Sequence, residues 1–217
     1  MKFAIAGMVA FCVLLIGGGV FFATRPNAPQ VRSIAMNEQY TNRVAANAWV
    51  KGSVNPSVTI TEYADYQCPG CAGMAPVINE VVSKTDYVKL EYRNYPLSQH
   101  NKARLAARAA ESAGRQGKFW DMHAILFANQ STWESTSLTS FRETVKEYAK
   151  NLGLNIDQFV ADLDDDSIDE QINQDISDGN KVPVTGTPTI LVNGQKLESL
   201  PRTADEFIAL VEASKNK

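Results

Sequence analysis

The chain has 217 residues, a formal net charge of −3, 44% hydrophobic residues and three cysteines. A near-neutral balance without a basic stripe excludes nucleic acid as the partner. The cysteines are too few for the multi-bridge scaffold of a small secreted protein, which typically carries four or more.

Taken in order, the chain opens on 21 residues, Phe3 to Ala23, with no charge among them. That is long enough to span a bilayer as a helix. A cleaved signal peptide has a shorter apolar core and small residues before its cleavage site. Here Phe21-Phe22-Ala23 places a bulky side chain there, and Cys12 sits too deep in the run to be a lipoprotein cysteine. The expected organisation is one N-terminal transmembrane helix acting as an uncleaved membrane anchor, 1–24, then a tether and lead-in, 25–50. A single domain, 51–217, follows outside the cytoplasm. Its size suits one hydrophobic core that needs no disulfide to hold it. Cys68 and Cys71 are the only pair in it.

Residues 36–51 read as a short helix or irregular lead-in, with Trp49 as a packing anchor. Gly52 and Asn55-Pro56 punctuate before a strand from Val58. Cys68-Pro69-Gly70-Cys71 then opens a helix that contains Pro76, where one backbone bond is lost and a kink is expected. Tyr87 to Arg93 alternates apolar and polar residues as a strand does. Strand, helix, strand over 58–93 is the length of a parallel pair with a crossover helix. Helices are expected over 101–114, ending at Gly114, and over 118–129, 138–151, 156–163 and 168–178. Thr189 to Val192, the turn Asn193-Gly194 and Gln195 to Glu198 form a hairpin, and a last helix covers 204–214. The class is α/β with a helical insertion at about 99–182. Residues 151–180 hold nine acidic residues and no lysine or arginine. Asp157, Asp162, Asp165 and Asp169 read as a solvated helix face. The alternation Asp162-x-Asp164-x-Asp166 is that of a calcium loop, but Ser167 and Asn173 stand where such a loop needs Gly and Glu.

The chemistry concentrates at Cys68-Pro69-Gly70-Cys71. Two cysteines three apart at a helix start share a face within disulfide reach. With Cys68 at the N-cap and Pro69 at the first helical position, the Cys68 sulfur faces unpaired N–H groups and the positive end of the helix dipole. Both favour thiolate over thiol. A disulfide closed over two residues adds little chain-entropy stabilisation, so chemistry is the better reason for the pair. Structural zinc needs four ligands, and the only histidines, His100 and His123, lie far apart. No metal is expected. His123, beside Phe119, Trp120 and Phe127, reads as a packing residue, and His100 as the start of a helix. A second motif, Gly186-Thr187-Pro188-Thr189, is a strand entry whose proline is tolerated at the first position.

Together these stretches resemble the thioredoxin superfamily, and more narrowly its DsbA-like thiol–disulfide oxidoreductases, including the membrane-anchored BdbD type. Further matching stretches are Glu62 to Tyr66, Asn94-Tyr95-Pro96-Leu97 with His100, and Gly117 to Trp120. The resemblance implies a thioredoxin fold, Cys68 as nucleophile, Cys71 as resolving cysteine, and a cis Thr187-Pro188 loop that holds an extended substrate segment. Glu62 matches a buried acid beneath the dithiol in part of the family, where it would tune a thiol pKa or relay a proton through water; as a plain strand-end acid it would face solvent. Gly70 departs from the histidine of the best-known oxidases and offers the Cys68 thiolate no cation. The implied activity is introduction of disulfides into exported proteins, with no cofactor and with a quinone-linked membrane partner that reoxidises the dithiol. The alternatives are a reductase or isomerase kept reduced by a membrane electron donor, or a binding module on the same fold.

Overall fold

In chain order the strands are β1 (Val31–Arg32), β2 (Trp49–Gly52), β3 (Val58–Ala64), β4 (Val88–Asn94), β5 (Thr189–Val192) and β6 (Gln195–Leu197). The helices are α1 (Pro69–Lys84), α2 (Ala103–Gly114), α3 (Phe119–Ala128), α4 (Gln130–Glu134), α5 (Leu138–Asn151), α6 (Ile156–Leu163), α7 (Asp166–Lys181) and α8 (Ala204–Glu212). They belong to a computed structural model that describes residues 31–32, 48–182 and 184–215. The apolar run 3–23, expected as an anchor, lies outside the described residues, as does most of the tether. Among the described residues no helix is long and apolar enough to cross a membrane.

The sheet order is β1-β6-β5-β3-β4-β2. Among the described strands only β3 and β4 are parallel, joined by α1 as the spacing predicts; the other pairs are antiparallel. Asn193 and Gly194 take φ of 48° and 76°, the two positive values that a tight hairpin turn needs. Two strands were not expected. β1 and β2 fall in the stretch read as tether and lead-in, and at two and four residues they are too short to show a period. Trp49 does anchor, stacking on Phe119 at 4.3 Å between ring centroids.

Alternation along β3 sends its side chains to opposite faces. Val58 and Ile60 pack with Met74, Ile78, Val81 and Val82 of α1 and Phe207 and Val211 of α8. Tyr63 packs with Val182, Val184 and Leu191 on the other face. The α1 residues recur every three or four positions, the stripe of an amphipathic helix. Helix α1 continues through Pro76 to Lys84.

The helical insertion spans α2 to α7, with α4 the one helix the periodicity did not reveal. Ala103, Ala106, Ala107, Ala109, Ala110 and Ala113 are buried, and such small side chains let neighbouring helices approach α2 closely. Of the acids read as a solvated face, Asp157 is exposed, but Asp162 is buried and Asp165 and Asp169 are only partly exposed. Asp162 and Asp165 accept from Arg115 at 2.7 and 2.6 Å, Asp169 pairs with Arg104 and Arg108, and Asp175 pairs with Arg93. Asp162, Asp165, Asp169 and Asp175 are therefore counter-charge to arginines of α2, its C-cap and β4, and Asp162, Asp175 and Asp178 are buried. Asp164 of the calcium-like alternation is paired with Arg142. Among the described residues no group of three or more His, Cys, Asp or Glu side chains is placed to hold a metal.

Candidate active site

Cys68 is the N-cap of α1, with φ −79° and ψ 121°, and Pro69 follows at the first helical position. The Cys68 carbonyl accepts from the N–H groups of Cys71 and Ala72, both at 3.1 Å, so the first turn is closed by backbone alone. Cys68 is 9% exposed and Cys71 is fully buried. Both are free thiols. The Cys68 thiol donates to the Thr187 carbonyl at 3.2 Å. The Thr187-Pro188 bond is cis, as the resemblance implied, and the loop comes from the far end of the chain to lie over the dithiol. A Cβ on Gly70 would stand 3.2 Å from Cδ of Pro188 and 3.6 Å from Sγ of Cys68. The missing side chain at position 70 thus leaves the loop and the sulfur close together.

The two sulfurs are electrostatically unlike. The Cys71 side chain, the Thr187 side chain and the N–H groups of Cys71 and Gly70 hold the Cys68 thiol down to about 5, against the opposing effect of burial. Burial pushes the Cys71 thiol far up, reinforced by Cys68 and by the charge of Glu62. A backbone N–H from Asp65 reaches Cys71 Sγ at 3.5 Å.

Of the two readings of Glu62, the solvent-facing one is overturned. Glu62 alternates with Ile60 on the face under α1, is 1% exposed, and its Oε1 has no hydrogen-bond partner. Burial raises its pKa to about 8, so the carboxyl is protonated at neutral pH. His123 is a packing residue: it lies in an aromatic cage with Tyr66, Tyr92, Trp120 and Phe127. Its Nδ1 meets the Tyr66 hydroxyl at 3.1 Å, and burial lowers its pKa to about 3. His100 lies beside Asp65, with Nδ1 2.7 Å from Oδ2.

Three residues that hold the site were not singled out from the sequence. Asp65 is buried and accepts from the N–H groups of Gln67 at 2.7 Å and Leu97 at 2.8 Å. The first is an Asx turn, a signal readable in principle from an Asp just ahead of a helix start. Gln130 of α4 donates to the carbonyls of Tyr66 and Cys68 at 2.7 and 3.0 Å. Gln67 accepts from the Lys102 N–H, and Lys102 Nζ donates to the Glu134 carbonyl. The insertion therefore grips the backbone of the dithiol loop, and nothing local to Gln130 announces it. An open groove of about 280 Å³ runs beside the cis loop, lined by Thr185, Gly186, Pro188, Ile190, Leu197 and Leu200 among others.

A family model described as thioredoxin matches residues 45–213. A thioredoxin-like oxidoreductase from Silicibacter pomeroyi is 25% identical and superposes with a TM-score of 0.68, over 84% of this chain and 99% of that one. Oxidised BdbD from Bacillus subtilis is also 25% identical, with a TM-score of 0.67 over 88% and 98% of the two chains. The thiol-disulfide exchange protein alpha-DsbA2 of Wolbachia pipientis, at 21% identity and a TM-score of 0.69 over 81% and 91%, shares the fold. Among sequence relatives, the Na(+)/H(+) antiporter NhaA 3 of Salinispora tropica is 36% identical over 148 residues, 68% of this chain. The chain spans only 22–26% of the length of the curated relatives it matches.

Proposed function

The chain belongs to the thioredoxin family and is a DsbA-like thiol–disulfide oxidoreductase, and from that premise we propose that it is an oxidant, introducing disulfides into exported proteins through Cys68 and Cys71. The observation that carries the direction is the asymmetry of the two sulfurs. A Cys68 thiol held down to about 5 stabilises the reduced protein, and a stabilised reduced form makes its disulfide the stronger oxidant.

The chemistry follows from the geometry. A substrate thiolate bonds to Sγ of Cys68 and the Cys68–Cys71 bond breaks. The electron pair goes to Cys71, whose raised pKa demands a proton, and the protonated Glu62 carboxyl below supplies it. The substrate's second thiolate then attacks its own sulfur in the mixed disulfide and releases Cys68 as a thiolate. Two electrons pass from the substrate to the protein pair. The Thr187-Pro188 backbone and the groove beside it hold the substrate as an added extended segment.

The wider setting belongs to the same proposal: a domain outside the cytoplasm, tethered by the apolar run 3–23, reoxidised by a quinone-linked membrane protein. Matches to a stretch of proteins named as Na(+)/H(+) antiporters, whose activity requires a membrane, support a membrane setting for this kind of domain. The deciding measurement is the reduction potential of the Cys68–Cys71 couple in glutathione buffers. A value above about −200 mV is expected; one near thioredoxin's, about −270 mV, would make the protein a reductase. In Cys71→Ser the Cys68 thiolate should open a substrate's disulfide, staying bonded to one of its sulfurs while the other leaves as a thiolate, and this mixed disulfide should accumulate, which a binding module would not form.

A further inference from the structure

Asp65 follows the last residue of β3 and touches both cysteines through its main chain. Its carbonyl accepts from the Cys68 N–H at 3.0 Å, and its own N–H reaches Sγ of Cys71 at 3.5 Å. Its side chain, 1% exposed, is held by three donors. Oδ1 accepts from the Gln67 N–H at 2.7 Å. Oδ2 accepts from the Leu97 N–H at 2.8 Å and lies 2.7 Å from Nδ1 of His100. A carboxylate oxygen only accepts, so the His100 ring carries its hydrogen on Nδ1. The donors come from two directions. Gln67 belongs to the dithiol loop, whereas Leu97 and His100 belong to the turn between β4 and α2. In that turn the His100 N–H donates to the Leu97 carbonyl at 3.0 Å, and the Ala103 N–H to the His100 carbonyl at 3.2 Å. The turn is fixed at the sheet end, where the Tyr95 N–H donates to the Ala64 carbonyl at 2.7 Å.

We propose that the Asp65 N–H stabilises the charge that develops on Sγ of Cys71 as the Cys68–Cys71 bond opens or closes, and that the Asp65 carboxylate and His100 hold that N–H in place. The inference rests on the thiol–disulfide exchange proposed above. When a thiolate bonds to Sγ of Cys68, the Cys68–Cys71 bond breaks and its electron pair collects on the Cys71 sulfur. Burial disfavours that charge, and the Asp65 N–H donates a hydrogen bond to it without giving up its hydrogen. A donor already fixed at the sulfur needs no reorganisation, and it counts most where water is excluded. On closing, Cys71 carries the same charge as it attacks the mixed disulfide, and it meets the same N–H. In both end states the Cys71 sulfur is neutral, in a disulfide or as a thiol, so the N–H adds little to either. The arrangement therefore acts on rates in both directions and leaves the equilibrium alone. The Asp65 side chain and His100 act through the N–H and are positioning groups; His100 supplies a hydrogen-bond donor, not a transferred proton.

The test is rapid acid quenching of the full chain reacting with glutathione, with Cys12→Ser in every protein compared and the glutathione adducts separated by mass. Opening is followed from oxidised protein and reduced glutathione, and closing from the mixed disulfide that reduced protein forms with oxidised glutathione. Asp65→Asn keeps an oxygen for Gln67 but turns a donor towards Leu97 and His100. Opening and closing should both slow about tenfold, with the equilibrium constant against glutathione changed less than about twofold. Attack of Cys68 on oxidised glutathione, which does not use Cys71, should keep its rate. His100→Ala, at a partly exposed position, serves where Asp65→Asn does not fold, and should slow both steps about threefold. His100→Asn, whose amide N–H stands in for Nδ1 as donor, should restore them. Wild-type rates in Asp65→Asn and His100→Ala, or a rate loss matched by the equilibrium or by the Cys68 attack, overturn the inference alone. So does His100→Asn behaving as His100→Ala. A wild-type dithiol that does not exchange with glutathione overturns the exchange reading, and this inference with it.

Discussion

The Cys68 thiol donates to the carbonyl oxygen of Thr187 at 3.2 Å, joining segments 119 residues apart. Once Cys68 ionises, that bond has no proton, and the Thr187 hydroxyl, buried and without a partner, can donate to the sulfur beside the Cys71 thiol and the N–H groups of Gly70 and Cys71. Thr187→Val removes it. The midpoint of Cys68 alkylation by iodoacetamide should rise from about 5 by roughly one unit. The couple should become more reducing by about 30 mV or less. An unmoved midpoint would show that the Cys71 thiol and the backbone N–H groups hold the thiolate without it.

Gly70→His tests what the motif lacks. Its Cβ would meet Pro188 Cδ at 3.2 Å, a contact that asks the loop to shift by a few tenths of an ångström. In return an imidazolium would stand beside the thiolate. The expected outcome is a lower alkylation midpoint and a more oxidising couple, with thermal stability of the reduced protein reduced by no more than about 1–2 kcal/mol. A more reducing couple would mean that displacement of the loop outweighs the added charge.

Glu62→Gln should stabilise the protein in a pH-dependent way. Folding raises the Glu62 pKa from 4.5 to about 8, so between those values the unfolded chain is ionised there and the folded one is not. Stability is lost as pH rises through this window and levels above it. The gain of the variant over wild type should therefore be near zero at pH 4, grow to pH 8, and reach on the order of a few kcal/mol. Urea denaturation across that range measures it. The same variant should slow exchange, because Cys71 loses its proton donor.

The Arg93–Asp175 pair, 2.8 Å apart with both side chains buried, ties β4 to α7. Burial raises the Asp175 pKa to about 6 although Arg93 and the Asn94 N–H oppose it. Arg93→Met strands the carboxylate and should cost about 3–5 kcal/mol at pH 7. The loss should shrink towards pH 4.5, where Asp175 is protonated. A pH-independent loss would assign the effect to packing.

Elements whose signal lies within a few residues were legible in the sequence. The strand at 58–64, the helix starting at the Cys68 cap, helices 138–151 and 156–163, and the Asn193-Gly194 turn agree with the structure. The dithiol was legible for the same reason, since spacing, proline and helix start are one local unit. Edge strands β1 and β2 and helix α4 were not, because two to five residues carry too little periodicity. The acidic stretch misled for a different reason. Spacing on a helix shows which side chains share a face, and says nothing of Arg104 and Arg108 on α2 and Arg115 at its C-cap, which meet these acids.

By itself the sequence determined the order of elements, the dithiol and the cap that places Cys68 at a positive helix end, all of which are properties of neighbouring residues. Only the tertiary structure decided that Glu62 lies buried as a neutral acid, that the Thr187 loop closes on the sulfur, and that Gln130 grips the dithiol loop. These depend on desolvation and on contacts across many residues. A carboxyl reads the same in a sequence whether its strand is covered or bare, and only packing sets its charge.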